Sequence, residues 1–159
     1  MPTTQNPATS PIPEGHRSLA PYLYVRGASR AMDFYSAAFG AQELFHMSAP
    51  DGKIAHAEMQ IGDSILMLAD ENPAIGARSP ESCGGTPVSV FLYVVDVDGV
   101  CAKALGAGAT PHTLPTDMFW GDRLATLKDP FGHEWSIATH IEDVSPEEMQ
   151  KRGAVASQS

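Results

Sequence analysis

The chain has 159 residues, 43% of them hydrophobic, which is enough for one ordinary domain or two small modules sharing a core. Ten basic against 19 acidic side chains give a formal charge of −9, spread without a long run, which argues against nucleic acid and against an anionic membrane as partners. No stretch approaches the ~18 consecutive apolar residues of a membrane helix, and the two cysteines, Cys83 and Cys101, form no CxxC pair, so a reducing, cytoplasmic setting is expected.

Residues 1–18 are rich in Pro, Thr, Ser, Asn and Gln, with neither a basic start nor an apolar run; they read as a disordered lead-in rather than a secretion signal. A strand is predicted over 19–25, where Pro21 suits an edge. A helix follows over 28–39, with Ala28, Ala31, Met32, Tyr35 and Phe39 at three- and four-residue spacing and Gly40 as its stop. Strands are predicted over 42–48, 53–61 and 64–70, separated by the turns Ala49-Pro50-Asp51-Gly52 and Gly62-Asp63. Residues 71–87, with Asn72-Pro73, Ser79-Pro80, Gly84-Gly85 and Pro87, read as a linker. The order then starts again. A strand over 88–95 precedes a helix capped by Asp96 or Asp98, with Val97, Val100, Cys101, Ala104 and Leu105 on one face. Strands over 110–117, 120–128 and 134–139 follow, the last two joined by Asp129-Pro130-Phe131-Gly132. Beyond 140, Ser145 and Pro146 announce a short helix in the tail. Cys101 reads as a buried small hydrophobe and Cys83 as a spectator thiol in a loop.

The chain therefore repeats itself: Leu23-Tyr24-Val25 answers Leu92-Tyr93-Val94, and Gly40-Ala41 answers Gly108-Ala109. The expected fold class is α+β, with two tandem βαβββ modules (19–70 and 88–139) forming a curved mixed sheet around a concave ligand cup.

Three motifs carry a family resemblance. They are Ala31-Met32-Asp33-Phe34-Tyr35 before Phe39-Gly40-Ala41, Trp120-Gly121-Asp122-Arg123, and Asp129-Pro130-Phe131-Gly132-His133-Glu134-Trp135. In this order they resemble the vicinal oxygen chelate superfamily of glyoxalases, bleomycin resistance proteins and extradiol dioxygenases, most of all its PhnB-like branch. The resemblance spans roughly residues 19–148. It implies one His or Glu metal ligand on each of four cup strands, at the positions held here by Ala20, Met67, Ser89 and Ser136. None is a His, Asp or Glu, so no cofactor is expected, although a divalent metal bound elsewhere is not excluded.

With those four positions facing inward, strand parity adds Tyr22, Tyr24, Ile65, Phe91, Tyr93 and Glu134 to the cup. On the third strand, Ala57, Met59 and Ile61 face the helices, which leaves His56, Glu58 and Gln60 toward the cup. His56 and Glu58 are the candidate catalytic pair; the bland alternative is a solvated polar stripe. Tyr22, Tyr24, Met67, Ser89, Phe91, Tyr93, Trp120 and Arg123 are candidate ligand-binding residues, against readings as core or subunit contacts, or, for Arg123, as the partner of an acid such as Asp122 or Asp129. His46, His112 and His140 read as strand-end or surface residues, His133 as a turn residue and His16 as part of the lead-in. Two functions follow. The first is a metal-independent binding protein for a neutral or cationic small molecule. The second is a lyase, isomerase or dioxygenase-like enzyme working around His56 and Glu58. A homodimer is expected, because relatives pair and sheet edges are exposed.

Overall fold

The computed structural model describes residues 9–158. The first module runs β1 (Tyr22–Val25), α1 (Ala28–Phe39), β2 (Gln42–Ser48), β3 (Ile54–Ile61) and β4 (Ser64–Asp70). A 3₁₀ turn (Pro73–Ile75) and the short α2 (Pro80–Cys83) lead to the second: β5 (Ser89–Tyr93), α3 (Val97–Gly106), β6 (Thr110–Asp117), β7 (Asp122–Lys128) and β8 (Glu134–His140). A terminal helix, α4 (Pro146–Ala156), completes the described chain. Among the described residues no helix is long and apolar enough to cross a membrane. Residues 1–8 of the expected lead-in lie outside the described residues; residues 9–18 are described as loop and turn.

The two βαβββ modules form two open four-stranded sheets, ordered β1-β4-β3-β2 and β5-β8-β7-β6, rather than one continuous sheet. In each, the first strand pairs in parallel with the last and the other pairs are antiparallel. Tyr22 lies opposite Met67 and Phe91 opposite Ser136, so these two pairs hold equivalent places. β1 begins later than expected because Pro21 has no N–H to give the ladder, though its carbonyl accepts from Met67 N at 3.0 Å. The outer edge of β1 is capped at Tyr24, whose carbonyl lies 2.9 Å from His133 Nε2.

The core lies between the sheets. Leu23, Val25, Ala57, Met59, Leu66 and Leu68 from the first module and Ala125, Leu127, Trp135 and Ile137 from the second belong to one buried cluster with α1 and α3. α1 contributes Ala28, Ala31, Met32, Phe34, Tyr35 and Ala38, the stripe its periodicity predicts. It packs across the module boundary: Phe39 and Trp135 ring centroids are 4.5 Å apart. Its N-terminus is capped from β4, where Asp70 Oδ1 accepts from Gly27 N and Ala28 N, each at 2.9 Å. Asp96, one of the two expected caps of α3, accepts from Gly99 N.

Asp129 ties the modules together. Its carboxylate, 3% exposed, accepts from Tyr35 Oη at 2.6 Å, Trp135 Nε1 at 3.0 Å, Phe131 N at 2.9 Å and His133 N at 3.0 Å. Burial raises the Tyr35 phenol well above its usual range and the neighbouring Asp129 adds to this, so Tyr35 stays a donor. In the linker, Glu71 accepts from Ser79 N, Ser82 Oγ and Arg26 Nε, and its carboxyl is held far below the usual range by its bonds from Ser79, Ser82 and Arg26, in that order. α4 is longer than the short helix expected; Ser145 caps it, and Arg152 bridges Glu142 and Glu148.

Candidate functional site

On β1, Leu23 and Val25 are buried toward the helices, which turns Tyr22 and Tyr24 to the open face. On β3, Ala57, Met59 and Ile61 are core residues, and His56, Glu58 and Gln60 alternate with them, as parity predicts. Three of these open-face groups are linked in a chain. Tyr22 Oη lies 2.9 Å from His56 Nδ1, and His56 Nε2 lies 3.2 Å from Glu58 Oε1. The second oxygen, Glu58 Oε2, is 3.0 Å from His16 Nε2, and Glu58 itself is only 8% exposed.

Donor chemistry orders the chain. A carboxylate only accepts, so His56 presents Nε2–H to Glu58, and in the neutral ring Nδ1 then accepts from the Tyr22 hydroxyl. Burial raises the Tyr22 phenol above its usual range, with Tyr24 and Glu58 adding to the effect, so Tyr22 is the donor. Rings surround the imidazole: Tyr22 at 5.5 Å and Phe45 at 5.7 Å, with Tyr24 5.1 Å beyond Tyr22. Beside them opens a hollow of about 440 Å³ lined by Tyr22, Tyr24, Ile54 and Ala69 and by the acidic Asp51 and Asp70. It is a concave surface with an aromatic wall and a net acidic rim.

The candidate residues of the second module lie elsewhere. Ser89 and Ser136 hydroxyls are 3.0 Å apart, and Phe91 and Tyr93 rings 5.0 Å apart. Phe91 and Tyr93 line a separate cleft against the β3–β4 turn, and the hollow containing Tyr22 and Tyr24 includes neither of them nor Ser89. Tyr93 donates to Asp122 Oδ2 at 2.8 Å, an oxygen shared with Trp120 Nε1 at 3.2 Å, and His140 Nδ1 is 2.9 Å from Oδ1. Burial lifts the Asp122 pKa, but bonds from His140, Tyr93 and Trp120 outweigh it, and the carboxyl sits below its usual range.

Arg123 pairs with neither acid considered from sequence. It grips Asp98 through Nε and Nη2 and Asp117 through Nη1, all at 2.9 Å. Adjacent strand residues point to opposite faces, so Arg123 shares the side of Ala125 and Leu127 while Asp122 faces the other way. Asp129 is already committed to Tyr35 and Trp135. His46 pairs with Glu43 and His112 with Glu134, both on exposed strand surface. Cys101 is buried and Cys83 exposed.

His140 carries a pH dependence. Hydrogen bonds to Asp143 and Asp122 raise it above its usual value of 6.5. A raised folded-state pKa contributes stability that is fully present below about pH 6.5 and lost as the pH rises through the folded value. The thermal midpoint of wild type should therefore exceed that of His140→Gln by more at pH 6 than at pH 9; an equal gap at both would contradict the pairing.

The four positions to which the resemblance assigns metal ligands offer a methyl, a thioether and two hydroxyls (Ala20, Met67, Ser89, Ser136), a set that does not fit a divalent metal. Among the described residues no group of three or more His, Cys, Asp or Glu side chains is arranged to hold one.

Sequence reasoning missed His16, whose ring reaches the site from a Pro-rich segment without periodicity. It also missed Asp122 as the hub joining Tyr93, Trp120 and His140; parity of β7 relative to β5 was the available signal.

Comparison with known proteins follows the fold. The signature of the Glyoxalase/Bleomycin resistance protein/Dioxygenase superfamily matches residues 16–137. An uncharacterized protein of Mycobacterium bovis is 44% identical over 144 residues, covering 89% of this chain and 93% of its own length. Among solved structures, TioX from Micromonospora sp. ML1 is 29% identical with a TM-score of 0.62, covering 77% of this chain and 98% of its own. A gene product of Arabidopsis thaliana is 27% identical with a TM-score of 0.61, covering 77% and 98%. The PhnB protein of Bacillus cereus, described as a putative 3-demethylubiquinone-9 3-methyltransferase, shares the fold at 17% identity, with a TM-score of 0.60 and coverage of 77% and 99%.

Proposed function

Because this chain belongs to the Glyoxalase/Bleomycin resistance protein/Dioxygenase superfamily, we propose that it is a small-molecule-binding protein that works without the family's usual metal. It takes an aromatic ligand, neutral or cationic, on the concave face of its first module. The observation that carries this reading is the buried Glu58 carboxylate beside the aromatic wall of Tyr22, Tyr24 and Phe45. A wall of this kind holds a flat ligand at about 0.5–1.5 kcal/mol per ring contact beyond area burial. Calorimetry of dialysed, metal-free protein against cationic glycopeptides and single-ring aromatic compounds tests it. At least one class should bind more tightly than millimolar, and Tyr22→Ala should weaken that binding roughly three- to tenfold. No binding by any class sinks the reading.

A second reading is favoured by the order of the hydrogen-bonded chain. A hydroxyl, an imidazole and a carboxylate in sequence are the parts of a proton relay. In an enzyme acting on a small carbonyl or hydroxyl compound as a lyase or isomerase, His56 Nδ1 would take the Tyr22 proton, the phenolate so formed would take one from the substrate, and Glu58 would hold the resulting imidazolium until its proton is returned. Turnover of such a compound that survives His56→Ala would remove this reading.

We also place the chain in the PhnB-like branch on its motifs, and in the cytoplasm as a homodimer with neither nucleic acid nor membrane as partner. Phe91, Tyr93 and Val95 are exposed at 49%, 60% and 96% along and beyond an unpaired strand edge, which supports pairing. Light scattering showing a monomer at micromolar concentration would contradict it.

A further inference from the structure

We propose that Glu58 is a cation-binding position that the chain fills with its own His16, and that a ligand bearing an ammonium or amidinium group binds by displacing residues 11–18. The inference rests on the concave-face reading above and names the ligand class that this face selects.

Four observations carry it. First, His16 and His56 meet Glu58 differently. His56 can make both its bonds as a neutral ring, because the Tyr22 hydroxyl can donate to it. His16 cannot: its Nε2 faces a carboxylate oxygen at 3.0 Å, and its Nδ1 faces the Glu14 carbonyl at 3.2 Å. Both partners only accept, so a neutral ring satisfies one of them and only the imidazolium satisfies both. In that form His16 is an internal cation paired with Glu58 at 3.0 Å.

Second, the segment that delivers this charge is lightly held. The other hydrogen bonds of residues 10–18, Ser10 Oγ to Ile12 O, His16 N to Pro13 O and His16 Nδ1 with Glu14 O, close within the segment. Among the described residues, the contact of His16 with Glu58 is its one hydrogen bond to the rest of the fold. The neighbours of His16 in the segment are exposed, and Ile12 is 42% open. Third, the strap does not fill what it covers. A hollow of about 420 Å³ lies between it and the sheet, lined by Pro13, His16, Arg17, Glu58 and Met67. That volume falls within the usual range for small-molecule pockets. Fourth, the aromatic wall is within reach of the same carboxylate, through Tyr22 and Phe45 around His56.

The physical logic is exchange. With the strap in place Glu58 is 8% exposed, and Oε2 is the oxygen that His16 alone occupies while His56 holds Oε1. A cationic ligand group that takes the place of His16 restores a charge-assisted bond to Oε2. A neutral aromatic compound can use the wall but cannot replace the charge. The strap is then a selectivity device: it makes the face accept an aromatic cation by substitution and leaves neutral compounds no such substitution.

The test uses benzylamine, a cation at neutral pH, and benzyl alcohol, its neutral isostere, with full-length wild type, His16→Ala and His16→Gln, followed by calorimetry. Both variants should bind benzylamine about tenfold more tightly than wild type, because the internal competitor is gone, and benzyl alcohol with unchanged affinity. In wild type, benzylamine but not benzyl alcohol should accelerate trypsin cleavage after Arg17. Glu58→Gln should abolish the preference for the amine. The proposal is overturned if removing His16 leaves benzylamine affinity unchanged, or raises affinity for both compounds equally, which would make the strap a steric cover only. It is overturned as well if neither compound binds His16→Ala at millimolar concentration. The concave-face reading falls only if the wider ligand screen also finds nothing, so the two failures are distinguishable.

Discussion

Asp129→Ala should cost about 2–6 kcal/mol of unfolding free energy, because it leaves two buried side-chain donors without an acceptor. The carboxylate accepts from two backbone amides and two side chains, and the two side chains come from different modules. Without it, Tyr35 Oη and Trp135 Nε1 keep their burial and lose their acceptor, at about 1–3 kcal/mol each. Asp129→Asn should cost less, since an amide oxygen still accepts and its NH2 can donate to the Tyr35 oxygen; it leaves fewer acceptors for the remaining donors. Urea unfolding measures both. The sharper check is a double-mutant cycle: Tyr35→Phe should be markedly less harmful in the Asp129→Ala background than in wild type, because the orphaned hydroxyl goes with it. A loss below about 1 kcal/mol for Asp129→Ala would mean that the turn relaxes and rehydrates the donors.

Gly121→Ala should cost about 2–3 kcal/mol and loosen the C-terminal segment together with the sheet edge. Two penalties coincide there. Gly121 has φ +102, a conformation that L side chains rarely adopt, and an added Cβ would sit 2.1 Å from the Glu142 carbonyl oxygen. That oxygen belongs to backbone and cannot swing aside like a side-chain tip. The Gly121 carbonyl also accepts from Ile141 N and Glu142 N, so moving it removes the staple between β7 and the tail. Arg152, which grips Glu142 and the Phe119 carbonyl from α4, would lose its footing. Hydrogen exchange should show residues 141–156 opening well before the core in this variant. Exchange unchanged from wild type would show that the tail holds without the staple.

Much of the architecture was legible because each element carries its own periodicity and stop signal. α1 spans the residues its apolar spacing marks out, and β2, β4 and β6 begin and end where the turn residues place them. The open-face residues of the first module were also legible, since period two leaves little choice once Ala57 and Met59 are core. Three features escaped for physical reasons. Arg123 follows the same parity, but its partners sit on α3 and β6, and no local spacing announces a pair made across elements. Asp129 reads as turn chemistry, and nothing nearby in sequence reveals a bond to a tyrosine 94 residues away. His16 is held by one side-chain contact from an irregular segment, which leaves no periodic trace. Whether the two modules' open faces meet depends on how the modules dock, and alternation within strands does not encode docking.

The packing of Phe39 against Trp135 has a consequence for how the two units depend on each other. A duplicated unit begins as something that can stand alone or pair with an identical copy. Here the first unit's helix has placed aromatic rings against a strand of the second, and the second unit's turn has placed its carboxylate on the first unit's tyrosine. Neither half retains a complete interior. Cut at the linker, each would present to water the surface it has specialised for the other. The repeat survives in the strand order, while the interior is divided between the two units, each supplying what the other buries.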